Sequence, residues 1–235
     1  DNFDDYVRVA DASKVYGAAN STIAGAAVSG VGAANVTASL GSAVLELSDA
    51  GEYLYSSPNV LSVTNKVAGR TTFADFSTGK LTITPKALTV ALQGTTANPL
   101  TKVYNGNENI TLASGNFALS GFVGQQGTGA TLGGVTSGTF DSKNVLQATR
   151  VSADVGKGTL SGTAQGFKAS NYSLPAKPVS ATGSITAKGL AVTGLMVESK
   201  TYDGKRTAEV TGTAAVDTTG AIQGDTVSVD GMGTG

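Results

Sequence analysis

A short signature recurs three times, and it constrains the fold more than any other feature. Lys102-Val103-Tyr104-Asn105-Gly106 is repeated as Lys200-Thr201-Tyr202-Asp203-Gly204, and more loosely as Lys14-Val15-Tyr16-Gly17. Each copy is a β-branched residue, a tyrosine, then a turn-forming residue or pair. A signature repeated at the spacing of a small domain marks a repeat architecture, and the copies act as rulers along the chain. A second ruler agrees. The join Thr82-Ile83-Thr84-Pro85-Lys86-Ala87-Leu88-Thr89-Val90 reappears at Ser184-Ile185-Thr186-Ala187-Lys188-Gly189-Leu190-Ala191-Val192. Lys86 and Lys188 lie 102 residues apart and Tyr104 and Tyr202 lie 98 apart, the difference falling in the loop around Gly94 to Pro99.

These landmarks divide the chain into 1–85, 86–187 and 188–235. The last piece is about half a period. Its segment Gly220-Ala221-Ile222-Gln223-Gly224-Asp225-Thr226-Val227 lines up with the loop at Gly121-Phe122-Val123-Gly124-Gln125-Gln126. The counterpart of Phe140 through Leu174 is missing, so a half-domain with unpaired strand edges is expected, through truncation or completed by a neighbouring molecule.

Within each repeat the pattern is that of strands. Leu81 and Ile83 alternate with Lys80, Thr82 and Thr84, and Leu88, Val90 and Leu92 share one face. Tyr6-Val7-Arg8-Val9, Gly51-Glu52-Tyr53-Leu54-Tyr55, Val60-Leu61-Ser62-Val63, Asn109-Ile110-Thr111-Leu112, Phe117-Ala118-Leu119, Gly138-Thr139-Phe140, Ala148-Thr149-Arg150-Val151, Gly158-Thr159-Leu160-Ser161 and Tyr172-Ser173-Leu174 read likewise. Each is short and bounded by turn residues. No sustained 3.6-residue apolar stripe appears. Gly is 32 of 235 residues and charged residues 14%, which suits a turn-rich β-chain better than helices. The expected fold is all-β and mainly antiparallel. It consists of small Ig-like sandwiches, or β-grasp-like domains, in an extended array with short linkers. The absence of a strong helix favours the sandwich.

Composition narrows the function. Net charge is −1 with no basic block, so neither nucleic acid nor anionic lipid is an expected partner. No apolar run reaches the roughly 20 residues that span a bilayer, so no membrane insertion is expected. The chain has no Cys and no His. Thiolate metal sites and a Ser-His-Asp triad are thereby excluded, and the commonest general base is missing. No enzyme activity is expected.

Each candidate site has a plain structural reading. The signature tyrosines could stack on sugar, but a core tyrosine with its hydroxyl on backbone is favoured. Asn105-Gly106 and Asp203-Gly204 read as two-residue type I′ hairpin turns. Asp141, Lys143 and Asn144 have the residue types of an intramolecular isopeptide bond, but within one short loop an Asx-turn is favoured. Asp1, Asp4, Asp5, Asp203, Asp225 and Asp230 could supply Ca²⁺ oxygens. Yet no EF-hand-type loop is present, so no cofactor is expected and calcium stays an alternative.

Tyr104-Asn105-Gly106, the segment Gly138-Thr139-Phe140-Asp141-Ser142-Lys143-Asn144-Val145 and Asn171-Tyr172-Ser173-Leu174 together resemble the YDG repeat of large bacterial exoproteins. Tyr202-Asp203-Gly204 with Gly224-Asp225-Thr226-Val227 resembles its first half. Val15-Tyr16-Gly17-Ala18-Ala19-Asn20, Gly51-Glu52-Tyr53 and Gly79-Lys80-Leu81-Thr82-Ile83 are similar to the related MBG domain of the YGX type. The chain departs from these patterns at Asn105, where the repeat has Asp, and at Ser21, where proline is usual. The resemblance implies a filamentous-haemagglutinin-like exoprotein or biofilm matrix adhesin exported by two-partner secretion. Segment 1–85 would be MBG-like, 86–187 YDG-type and 188–235 the N-terminal half of another YDG-type domain. The implied place is secreted or on the bacterial cell surface, with other domains of the same adhesin as partners and exopolysaccharide or other cell-surface molecules as further ones. The implied role is a stalk or spacer in adhesion or matrix cohesion. A carbohydrate-binding module gripping matrix exopolysaccharide and self-association through edge strands are the alternatives. Tyr16, Gly17, Tyr104, Asn105, Gly106, Tyr202, Asp203 and Gly204 are then structural signature residues, with no catalytic role to carry over.

Overall fold

The computed structural model describes residues 4–23 and 26–231. The chain is all-β, with several mostly antiparallel sheets and only short 3-10 turns among the described residues. The first 85 residues contribute β1 (Asp5–Val9), β2 (Ala12–Val15), β3 (Val28–Val31), β4 (Val36–Leu40), β5 (Gly51–Leu54), β6 (Leu61–Asn65), β7 (Thr72–Asp75) and β8 (Lys80–Thr84). Alternation sets their faces: along β1, Asp5, Val7 and Val9 are buried and Tyr6 and Arg8 exposed. Pro85 cannot donate to a ladder and separates β8 from the next strand.

The second repeat supplies β9 (Lys86–Ala87), β10 (Thr89–Leu92), β11 (Leu100–Val103), β12 (Asn109–Thr111), β13 (Phe117–Ser120), β14 (Thr131–Gly133), β15 (Ser137–Phe140), β16 (Arg150–Ala153), β17 (Thr159–Ser161), β18 (Tyr172–Ser173) and β19 (Val179–Thr186). The third begins with β20 (Val192–Val197) and β21 (Val210–Val216), paired antiparallel with a register shift between Thr193 and Leu195.

The chain folds into two compact units that interleave along the sequence. The first comprises Asp1–Leu92, Leu112–Thr136 and Ala153–Val179; the second comprises Gln93–Thr111, Ser137–Ser152 and Ser180–Gly235. Each unit therefore draws on two successive repeats.

In the first unit the sheets are ordered β3-β1-β7, β2-β8-β5, β4-β6, β10-β13, β14-β17 and β18-β9. Most pairs are antiparallel, but β1–β7, β2–β8 and β9–β18 are parallel. β1 and β2 come early in the first repeat and β7 and β8 late, so these parallel pairs close it end to end. A single hydrophobic cluster joins Val9, Tyr16, Tyr55, Leu81 and Ile83 of the first repeat to Leu88 and Tyr172 of the second, with Phe122, Val123 and Phe167 packed against it. Burying side chains of this size stabilises by about 1.5–3 kcal/mol each before entropy is subtracted. The two repeats therefore share one core.

In the second unit a five-stranded sheet is ordered β11-β19-β16-β15-β12. β11 pairs with β19 in parallel. Ile110, Phe140, Val151 and Ile185 are buried within this unit, and the Lys102 ammonium lies 5.8 Å from the centre of the Phe140 ring.

Candidate functional site

The three signatures are built around their lysines, a role the sequence reading did not assign. Lys14 is nearly buried, and its Nζ donates to Ala18 O (2.9 Å), Asn20 Oδ1 (2.8 Å) and Glu46 O (3.0 Å). Lys102 Nζ donates to Asn105 Oδ1 (2.7 Å), Asn107 O (2.6 Å) and Asn109 O (2.8 Å). Lys200 Nζ donates to Asp203 Oδ1 (2.8 Å) and Lys205 O (3.0 Å). In all three the ammonium, two residues before the tyrosine, ties down the loop that follows it. Three donors on a flexible stem suit this task. Desolvation pushes the ammonium pKa of Lys14 and Lys102 down, while Glu46 and Glu108 respectively oppose the shift.

The turns are not type I′ hairpins. That turn needs positive φ at both central residues, and here Gly106 (φ +81) and Gly204 (φ +75) adopt it while Asn105 and Asp203 do not. β11 and β12 lie at opposite ends of their sheet order, and β20 and β21 are joined by residues 198–209. The loops are instead Asx-turns, in which Asp203 Oδ1 accepts from Lys205 N at 2.9 Å and Asn105 Oδ1 from Asn107 N at 3.4 Å.

What the tyrosine and glycine hold is the next repeat. In the first unit Tyr16 is buried. Its hydroxyl lies 3.2 Å from Gln126 Oε1 and accepts from Gln126 Nε2 at 2.9 Å. Tyr172 donates to the same Gln126 Oε1 at 2.5 Å and meets the Tyr16 ring edge-on at 5.6 Å. Burial raises the Tyr172 phenol pKa. Gly17 has φ +77, and a Cβ there would stand 2.4 Å from Val123 Cγ2. The absent side chain leaves room for Val123, so glycine is required twice, by conformation and by space.

The second unit repeats this joint one repeat further on. Tyr104 is half-buried and its hydroxyl donates to Asp225 Oδ1 at 3.1 Å, which raises its pKa. A Cβ on Gly106 would stand 2.7 Å from Ile222 Cγ2. Val123 and Ile222, and Gln126 and Asp225, occupy matching positions in the two aligned loops. Beside the second joint Tyr104, Val145, Leu190, Ile222 and Val227 line a cavity of about 200 Å³. In both joints the tyrosine hydroxyl bonds a side chain of the following repeat and not backbone. The third copy differs: Tyr202 is 92% exposed, and a Cβ on Gly204 would meet nothing within 4 Å.

The other candidate sites resolve into local structure. Asp141 Oδ1 accepts from Thr149 N (2.9 Å) and Arg150 N (3.1 Å), and Oδ2 from Thr149 Oγ1 (2.8 Å). It closes a loop across eight residues, so it is not an Asx-turn; burial pushes its pKa up, but these donors outweigh it and hold the carboxyl low. Lys143 and Asn144 are exposed, and Asn144 bonds Gln147. Asp5 is fully buried on Arg70 (2.7 Å), Asn65 and Asn35, which spends it inside the fold. Asp1 lies outside the described residues. Among those residues no three acidic side chains gather where they could hold a metal.

One exposed feature went unanticipated. On the outer face of β3-β1-β7, Val31, Tyr6 and Phe73 form a row, since Tyr6 pairs with both neighbours, and Ser29, Arg8 and Asp75 form a second row beside it. The Tyr6 and Phe73 rings stack at 5.1 Å with 14° between planes, and both are half exposed or more. Arg8 donates to Asp75 at 2.6 Å. Asp75 is lowered to about 2 by the Ser77 hydroxyl and N–H and by Arg8. Tyr6, Arg8, Ser29, Phe73 and Asp75 border a shallow groove of about 520 Å³. Thr72-Phe73-Ala74-Asp75 runs polar, apolar, apolar, polar, so β7 carries no alternation by which the sequence could have shown it.

The family model for the YDG domain matches residues 84–181. No curated protein and no solved structure matched the chain. The matched span holds the second lysine-tied signature, four strands of the five-stranded sheet with the start of β19, and the loop that docks on Tyr16 and Gly17, so a YDG domain is present over residues 84–181.

Proposed function

We propose that this chain is a structural segment, a stalk or spacer, of a secreted bacterial surface adhesin, and that it supports adhesion or matrix cohesion without catalysis. One observation carries the reading: the same joint is built twice, with a Tyr-Gly socket of one repeat closed by the Gly-x-(Val/Ile)-x-x-(Gln/Asp) loop of the next. A ligand site needs building once, whereas a joint that recurs in series belongs to a chain made to be lengthened. Shared core at the first joint would pass tension from repeat to repeat, with no flexible tether to take up slack. Stretching the chain by its ends tests this. Discrete rupture events are expected, and smooth extension like that of an unfolded chain would overturn the proposal.

A second reading, glycan binding, is favoured by the exposed Tyr6–Phe73 stack beside the Arg8–Asp75 pair. Aromatic faces cover the apolar face of a sugar, and the paired charges leave donors and acceptors for its hydroxyls without net charge. Titration with a panel of neutral hexasaccharides should show saturable binding that Phe73→Ala abolishes. Undiminished binding in that variant, or none in the parent chain, would dismiss it.

A further inference from the structure

We infer that Tyr202, Asp203 and Gly204 form a docking socket for the Gly-x-(Val/Ile)-x-x-(Gln/Asp) loop of a further YDG-type repeat. The inference rests on the serial-stalk reading and names its next partner. Two filled sockets define what an occupant must offer. A β-branched aliphatic side chain stands over the glycine, as Val123 does over Gly17 and Ile222 over Gly106. Three residues later a side-chain oxygen meets the tyrosine hydroxyl, as Gln126 does for Tyr16 and Asp225 for Tyr104.

The third socket has the same parts already in place. Lys200 holds Asp203, Asp203 accepts from Lys205 N, and Gly204 keeps φ +75. Its loop is therefore ordered in advance, which removes part of the entropy cost of docking. What differs is occupancy. Tyr202 is 92% exposed against 2% for Tyr16, and the space over Gly204 is open where Gly17 and Gly106 each face an aliphatic methyl.

A second copy of this chain is a poor occupant. Both of its matching loops, 121–126 and 220–225, are already engaged with its own sockets. A loop free to dock has to come from another repeat, and the geometry of the first two joints places it next in series.

The test appends residues 137–235 after Gly235. The two matching loops are offset by 99 residues, so this continues the repeat in register. Tyrosine accessibility is read as nitration by tetranitromethane, located by mass spectrometry. Nitration of Tyr202 should be fast in the 235-residue chain and at least tenfold slower in the lengthened one. Gly204→Val should restore the fast rate in the lengthened chain only, because the added side chain occupies the space the incoming aliphatic needs. A synthetic peptide of residues 217–227 is the second probe, covering failure of the appended repeat to fold. It should slow Tyr202 nitration, and its Ile222→Ala form should not. Protection of Tyr202 by neither probe overturns the inference, as does protection that persists with Gly204→Val. The force response of the 235-residue chain is independent of this outcome, so failure here leaves the stalk reading to its own test.

Discussion

At the scale of the residue, the signature works through groups that a local reading undervalues. Lys14 satisfies three oxygens from inside the fold. Lys14→Met keeps most of the stem but leaves those acceptors without their donor, which should cost about 2–3 kcal/mol in denaturant unfolding. Tyr16→Phe removes the acceptor for Gln126 Nε2 in a buried setting and should cost about 1–2 kcal/mol. Gly17→Ala combines positive φ with a Cβ driven toward Val123, and should cost about 1–3 kcal/mol. Gly204→Ala has the φ penalty alone, so its cost should be the smaller of the two. Comparing their urea midpoints separates steric contact from backbone strain.

At the scale of the element, β1 is secured at its start by a buried ion pair. Arg70 holds Asp5 at about 2 against the opposing effect of burial, with Asn65 and Asn35 assisting. The folded pKa lies below the unfolded value, so this carboxylate contributes stability above roughly pH 4. The contribution is lost as pH falls from about 4 toward 2. The melting temperature should therefore drop over that window, and Asp5→Asn should flatten its share of the drop. Much of this level was legible in the sequence. Alternation located β1, β8 and β10, and turn-bounded runs located β5, β6, β15, β17 and β18. β7 was missed because its four residues hold one large apolar side chain, Phe73. Parallel pairing of β1 with β7, β2 with β8 and β11 with β19 was also hidden, since alternation gives a strand's faces but not its neighbour's direction. The Asn-Gly and Asp-Gly pairs misled for a related reason. They are strong local hairpin signals, but here a lysine ties down each loop, and at Asn105-Gly106 a loop of the next repeat also packs against it.

At the scale of the whole molecule, sequence repeats and compact units are different divisions of the same chain. The repeats at 1–85, 86–187 and 188–235 mark where the pattern recurs. The compact units gather around the joints, each made of parts of two repeats. Nothing in a single repeat announces this, because Tyr16 and Gln126 are 110 residues apart and neither is unusual alone. One expected consequence is that Tyr172→Ala, a change in the second repeat, should weaken hydrogen-exchange protection of Leu81 and Ile83 in the first, since all three share a cluster. The central claim is that the signature tyrosine is coupled to the following repeat, and a double-mutant cycle measures that coupling. Tyr16→Phe and Gln126→Leu should be non-additive, with an interaction energy of about 1 kcal/mol, and Tyr104→Phe with Asp225→Leu should show a smaller coupling of the same sign. Additive costs at both joints would contradict the account.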